Sequence, residues 1–398
     1  MNIKDAKEEV KRTIISYLDK DSDGNYVVPV PRQRPVFLVG APGIGKTTIM
    51  AQIAKELDIG LVSYTITHHT RQSAIGLPMI SKRVYNGQEY SVSEYTMSEI
   101  IASVYECIER TGKKEGILFI DEINCVSETL APAMLDLLQN KKFGPHYIPK
   151  GWVLVSAGNP SEFNKSVKEF DTVTLDRVKK IDATADYESW KEYAINNDVD
   201  GSILFYLSQK PDNLLSIQNT VDGTVFATPR GWEDLSIGIK QNKKFGFPTT
   251  IDFIKQFIQS NQIAKEYFSH YKIYLKYAKK FDCNKVLNGD FSYKDEFVKY
   301  EFDEKMANIQ ILCSAVIEQT KQNDSDTKKK IENALDFMEL VTNGGPEMIY
   351  YLVTLLTNNN FIVFLAKDLS MKYINANNKY LAGKKKSTLL DEINKIGL

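Results

Sequence analysis

The sequence predicts an α/β protein: a parallel sheet between helices, then a helical lid and an additional C-terminal helical region. Three observations carry the core of that prediction. Segments 36–39, 117–120 and 153–155 are short, continuously apolar runs, the pattern of strands buried on both faces. Each leads into small or polar residues. After the first run, Ile49, Met50, Ile53, Ala54 and Leu57 recur at helical spacing.

Composition narrows the function classes. Of 398 residues 43% are hydrophobic and 25% charged, which excludes a disordered chain, and 22 Gly with 13 Pro excludes a fibrous one. Fifty Lys+Arg against 51 Asp+Glu leave a net charge of −1, so nothing global calls for a polyanionic partner. The length favours two or three domains with full cores of their own. Cys107, Cys125, Cys283 and Cys313 stand singly, without a CxxC pair, as in a reducing compartment. The first ten residues are charged and lack the apolar centre of a secretory signal. The most apolar tracts, 348–356 and 361–366, are split by Asn358-Asn359-Asn360 and read as two buried helices. Each is shorter than the roughly 20 apolar residues that span a bilayer. The expected location is cytoplasmic, with no membrane partner.

Between the first strand and its helix lies Gly40-Ala41-Pro42-Gly43-Ile44-Gly45-Lys46-Thr47-Thr48. Strand, glycine loop and helix stand in the order that a phosphate-binding loop requires. The glycines let successive N–H groups curl around a β-phosphate, and the helix N-terminus adds partial positive charge. Lys46 is expected to reach the β- and γ-phosphates, and the Thr47 hydroxyl to ligate Mg²⁺.

The second run ends in Asp121-Glu122-Ile123-Asn124. Asp121 at the strand tip is placed to hold Mg²⁺ through its water shell, and Glu122 to polarise an attacking water. The third run delivers Asn159, within Ala157-Gly158-Asn159-Pro160, to hydrogen-bond a γ-phosphate and that water. Arg177 precedes an expected last strand at 178–181. Arg230 follows Thr228-Pro229, an N-cap and N1 pair that opens a helix carrying Trp232, Leu235, Ile237 and Ile239. A cation in a first helical turn opposes the dipole and calls for a nearby anion. A surface ion pair is the plainer role for either arginine.

With these elements in order, the first 270 or so residues resemble the AAA+ ATPases, and most closely the MoxR-like branch. The resemblance takes 40–47 as Walker A, 119–124 as Walker B and 157–160 as sensor 1. It takes Leu175-Asp176-Arg177 as the arginine-finger segment and Thr228-Pro229-Arg230 as sensor 2. It implies an ATP- and Mg²⁺-dependent hydrolase that works as a ring, most often a hexamer. Lys46, Thr47, Asp121, Glu122, Asn159 and Arg230 would act in cis and Arg177 on a neighbouring subunit's nucleotide. It also implies a chaperone-like task on a client protein, with a von Willebrand factor A-type domain as the expected partner.

Two inserts are legible. Asn86-Gly87 between Val84-Tyr85 and Tyr90-Ser91-Val92 signals a hairpin, and 143–152 is a second compact, turn-rich segment. The resemblance directs both toward the pore of a ring. The 70–78 stretch has no aromatic residue, although peptide-threading relatives usually carry one there.

The expected domains are a nucleotide core at 1–185, a helical lid at 186–270 and a helical region of unassigned role at 271–398. Trp190, Tyr193 and Ala194, then 203–207, space as lid helices. Tyr271, Tyr274, Tyr277 and Phe281 open the last third. Ile309, Leu312, Ala315 and Val316, and then Ile331, Leu335, Phe337 and Leu340, continue it at helical spacing. His68-His69 reads as insert surface rather than a metal site. The lysine runs 328–330 and 384–386 read as solvated helix ends, so nucleic acid is disfavoured as a partner. Two rivals to a remodelling ATPase stay open: a slow nucleotide-gated assembly switch and a nucleic-acid motor.

Overall fold

The computed structural model describes residues 1–341 apart from 69–70, 164–166, 222 and 322–325. His69, the tracts 348–356 and 361–366 and the lysines 384–386 lie outside the described residues. The chain divides into two units, Met1–Asp186 and Tyr187–Leu398.

The first unit opens with α1 (Ile3–Leu18), capped by the Asn2 side chain, which accepts from the Asp5 N–H; the helix buries Ala6, Val10, Thr13 and Ile14. Then follow β1 (Val36–Gly40), α2 (Lys46–Glu56), β2 (Gly60–Thr65), α3 (Arg71–Ile75), β3 (Pro78–Tyr85) and β4 (Gln88–Tyr95). Next come α4 (Glu99–Thr111), β5 (Gly116–Asp121), α5 (Ala131–Asn140), β6 (Lys142–Phe143) and β7 (His146–Tyr147). The unit closes with β8 (Trp152–Gly158), α6 (Thr172–Leu175) and β9 (Lys179–Ala183).

Five strands form one parallel sheet in the order β2-β5-β8-β1-β9. The expected runs 36–39, 117–120 and 153–155 are its three central strands. Every residue of β8 is buried, as a strand covered on both faces requires. The last strand begins one residue later than expected and runs two residues further. Because all five strands point the same way, their C-terminal tips share one edge. The crevice of such a sheet, where strand connections diverge to opposite sides, opens beside β1. The chain leaves β1 for β2 on one side, and β8 crosses to β9 on the other.

Both inserts are hairpins. β3 and β4 pair antiparallel around Asn86 (φ 50°) and Gly87 (φ 78°), the left-handed pair that a two-residue type I′ turn needs. Tyr85 and Tyr90 flank this turn, both exposed, with ring centroids 6.1 Å apart. An aromatic pair thus sits beyond the 70–78 stretch that lacks one. The β6–β7 hairpin follows α5 directly.

The second unit contains α7 (Tyr187–Asn196), α8 (Gly201–Gln209), β10 (Ser216–Thr220), β11 (Gly223–Ala227), α9 (Pro229–Phe245), α10 (Ile251–Lys255) and α11 (Asn261–Lys280). It continues with α12 (Cys283–Leu287), α13 (Lys294–Val298), α14 (Phe302–Lys321) and α15 (Thr327–Val341). The β10–β11 hairpin stands where the sequence reading expected only helices. α11 runs uninterrupted through position 270, and a single core joins Tyr187, Trp232 and Tyr267 to Ile309, Phe337 and Val341. On α9, Trp232, Leu235 and Ile239 are buried as their i, i+3, i+7 spacing demands. Ile237 is 56% exposed, since five residues beyond Trp232 it falls about 140° around the helix. Among the described residues no helix is long and apolar enough to cross a membrane.

Candidate active site

The site forms at the shared edge of strand tips. Gly40 ends β1, and the loop passes through positive φ at Gly43 (78°) and Gly45 (98°), conformations that side chains resist. Gly45 caps α2 without any side-chain hydrogen bond, and no acidic residue stands in the first helical turn. The orphan N–H groups at the start of α2 are therefore left to an anion, aided by the dipole. Ala41 and Ile44 are buried beneath the loop, whereas Thr47 and Thr48 are exposed.

Lys46 is only 7% exposed. A buried ammonium needs oxygen partners. Its Nζ donates to the Gly40 carbonyl (2.7 Å), the Ala41 carbonyl (3.0 Å) and Asn159 Oδ1 (2.9 Å). The last bond is possible because β8 lies directly beside β1, which brings position 159 to position 46 across 113 residues of sequence.

Thr47 Oγ1 donates to Asp121 Oδ2 at 2.8 Å. The other Asp121 oxygen accepts the Glu122 N–H at 2.9 Å. Glu122 itself has φ 57°, a left-handed backbone of the kind that costs about 1 kcal/mol or more and concentrates at functional sites. Its Oε2 accepts from the Thr67 hydroxyl at 2.8 Å. Thr67 belongs to the short 3₁₀ turn Ile66–His68 that follows β2, the sheet neighbour of β5. Beyond Glu122, Asn124 is 6% exposed and pairs with the backbone of Asn159. Burial first, then the charges of Glu122 and Asp121, push the Cys125 thiol up, so it is protonated at neutral pH.

The structure therefore brings Lys46, Thr47, Asp121, Glu122 and Asn159 together. Arg177 is not among them. It is exposed and lies two residues before β9, whose Lys179 pairs with Val36 and whose Ala183 pairs with Gly40. Arg177 thus sits at the edge where strands begin, before a five-residue strand that is itself about 16 Å long at about 3.3 Å per residue. Its charge is felt at Asp171, the N-cap of α6. The Thr174 hydroxyl and N–H hold that carboxyl below its usual range, and the Arg177 charge adds to the effect. Arg230 belongs to the second unit, exposed in the first turn of α9, where Thr228 Oγ1 accepts the Gly231 N–H at 3.1 Å.

Thr67 and Asn124 are the additions that the structure makes. Thr67 carries no recognisable spacing. Asn124 stands in the Asp-Glu-Ile-Asn string, yet nothing there announces its contact with Asn159.

Among the described residues no group of three or more His, Cys, Asp or Glu could hold a metal. The Thr47–Asp121 pair offers two hard oxygen donors, the sparse set from which Mg²⁺ completes its shell with waters and phosphate oxygens.

Residues 35–178 match the family model of the AAA domain, dynein-related subfamily. That description does not specify the MoxR-like branch. The search of curated proteins gave no match. Among solved structures, NtrX from Brucella abortus in complex with ADP aligns at 13% identity with a TM-score of 0.28. The alignment covers 52% of this chain and 41% of that one, too weak a superposition to support inference. The matched segment carries every tip residue described above and four of the five sheet strands, and the chain has an AAA+-like ATPase fold.

Proposed function

We infer that this protein is a Mg²⁺-dependent ATPase of the MoxR-like kind, working as a ring, most simply a hexamer, to remodel or activate a partner protein. One observation carries the reading: Lys46, Thr47, Asp121, Glu122 and Asn159, drawn from three strand tips, converge through hydrogen bonds of 2.8–2.9 Å. On ATP binding, Lys46 exchanges its carbonyl partners at Gly40 and Ala41 for β- and γ-phosphate oxygens. The amides of 43–47 surround the β-phosphate. Thr47 and Asp121 would hold Mg²⁺, which would supply positive charge against the phosphate oxygens. Glu122 accepts the proton of the attacking water, and Asn159 orients that water against the γ-phosphate.

Arg177, far from its own strand tips, suits a finger given to a neighbouring subunit, which is worth several orders of magnitude in rate. Arg230 serves as the sensor of the second unit. Turnover is then concentration-dependent. The client is a protein, with a von Willebrand factor A-type domain as the leading partner class.

A nucleotide-gated assembly switch is the second reading. The Thr67 hydroxyl on Glu122 favours it, because it occupies one of the two oxygens that could take the proton. Single-turnover hydrolysis of ATP by wild type and Glu122→Gln separates them. A remodelling engine requires the wild type to be faster by about 10²-fold or more. Equal rates would leave the switch.

A further inference from the structure

The tip of β8 is held by a side chain where its partner strand has ended. The β5–β8 ladder runs to Ile120 opposite Ser156, and β5 stops one residue later. Asn124 then takes over from the missing strand. Its Nδ2 donates to the Asn159 carbonyl at 2.8 Å, and its Oδ1 accepts the Asn159 N–H at 3.3 Å. One carboxamide thus satisfies both backbone groups of one residue, as a neighbouring strand would. Asn124 is anchored in turn, since its own carbonyl accepts the Lys168 N–H at 2.8 Å.

Gly158 makes this pairing possible. A Cβ at that position would stand 2.4 Å from Asn124 Oδ1, 2.7 Å from its Cγ and 2.9 Å from its Nδ2. All three side-chain atoms fall inside the distance that real Cβ contacts respect. The carboxamide lies flat against the strand only because residue 158 has no side chain. With both its backbone groups held by Asn124, Asn159 directs Oδ1 to Lys46 Nζ at 2.9 Å. Asn124 is also two residues from Glu122, on the short 3₁₀ turn that follows it. The water-activating carboxylate and the amide beside the phosphate loop are thereby parts of one tied assembly.

We propose that Asn124 is a positioning residue that acts through Asn159, with Gly158 as its required seat. The catalytic consequence rests on the ATPase reading above; the clamp itself does not. Asn124 contacts neither nucleotide nor water in this scheme. It sets where Asn159 stands, and misplacement of about 1 Å in such a group costs on the order of 100-fold in rate.

The test uses the full chain with three single variants, Asn124→Leu, Gly158→Ala and Asn159→Ala, and the double variant Asn124→Leu/Asn159→Ala. Single-turnover hydrolysis and equilibrium affinity are measured with ATP and Mg²⁺, and hydrogen exchange at the Asn159 amide is measured without nucleotide. The expected result is a rate about 100-fold lower in each single variant, with ATP affinity within about threefold of wild type. In the double variant Asn124→Leu adds nothing to the loss caused by Asn159→Ala. A residue that merely stabilised the sheet end would add its full factor there, and that outcome overturns the proposal. Gly158→Ala leaves the Asn124 side chain present, so it decides the matter if Asn124→Leu does not fold. Faster exchange of the Asn159 amide in Asn124→Leu is expected whatever the turnover. Unchanged exchange overturns the clamp. An inactive wild type with faster exchange in the variant would instead sink the ATPase reading and leave the clamp standing.

Discussion

Two regions bury polar and charged side chains, and they do it differently. At the strand tips of the first unit, Lys46, Asn124 and Asn159 are buried, but Thr47 is exposed and Asp121 and Glu122 are half-buried. In the second unit, Asp200 is 6% exposed and caps α8, accepting from the Ser202 N–H (3.0 Å), the Ser202 hydroxyl and Lys243 Nζ (2.6 Å). The Asp200 N–H donates to Ser236 Oγ at 2.7 Å, and Tyr267 closes the group through Ser202 at 2.9 Å. Burial pushes the Tyr267 phenol well up, so it stays neutral.

The second cluster holds a helix start inside an aromatic core, where Tyr206, Trp232 and Tyr267 pack with centroids 5.3–5.6 Å apart. The first gathers a lysine and two carboxylates at one edge of strand tips. Burial and pairing are common to both. What separates a site from a scaffold here is that the tip residues pair with groups they could exchange for phosphate oxygens.

Lys46→Ala tests the first region most severely. Binding of ATP should be lost while the thermal unfolding of the protein is nearly unchanged, and retained binding by calorimetry would refute the site. The second region should respond in the opposite way. Phe337 is fully buried against Phe281, Phe291 and Phe297, so Phe337→Ala should cost about 3–5 kcal/mol in chemical denaturation. ATP affinity at temperatures where the variant remains folded should be kept. A loss of affinity comparable to that of Lys46→Ala would blur the contrast.

A smaller effect is expected at Thr67. Thr67→Val frees Glu122 Oε2 and should raise basal hydrolysis by a few fold, about 1 kcal/mol in barrier. A rate that falls instead would mean that Thr67 holds Glu122 in its working position.

The smallest effect concerns Lys141, at the C-cap of α5, whose Nζ donates to the Val30 carbonyl at 2.7 Å. Burial lowers its pKa to about 8. Between pH 8 and the unfolded value of about 10.4 the folded chain binds fewer protons than the unfolded one, so stability contributed by this group rises with pH across that window. Below pH 8 both states are protonated and the folded state carries the cost of a buried charge. Removing it in Lys141→Met should flatten the wild-type-minus-variant stability curve below pH 8 and give that curve an upward slope above it. A curve flat throughout would disprove the lowered pKa.

Much of the site was legible because its signals are local. The glycine string demands left-handed backbone, and Gly43 and Gly45 adopt it. Apolar runs that end in Asp121-Glu122 or Gly158-Asn159 mark buried strands whose tips carry chemistry. Asn86-Gly87 specified its hairpin for the same reason. The β10–β11 hairpin also had a local signal, since Asp222-Gly223 separates two short β-branched stretches, but helical spacing on either side obscured it.

Sequence alone determined which residues could cradle a phosphate and which strands would be buried, because period and turn chemistry act over a few residues. Only the tertiary structure decided that Asn159 meets Lys46, that Thr67 meets Glu122 and that Asn124 clamps the tip of β8. Those contacts follow from the strand order β2-β5-β8-β1-β9, which places elements far apart in the chain side by side. The same order and register put Arg177 at the opposite edge from the strand tips. Adjacency across a sheet is set by the packing of whole strands, and no short stretch of sequence encodes it.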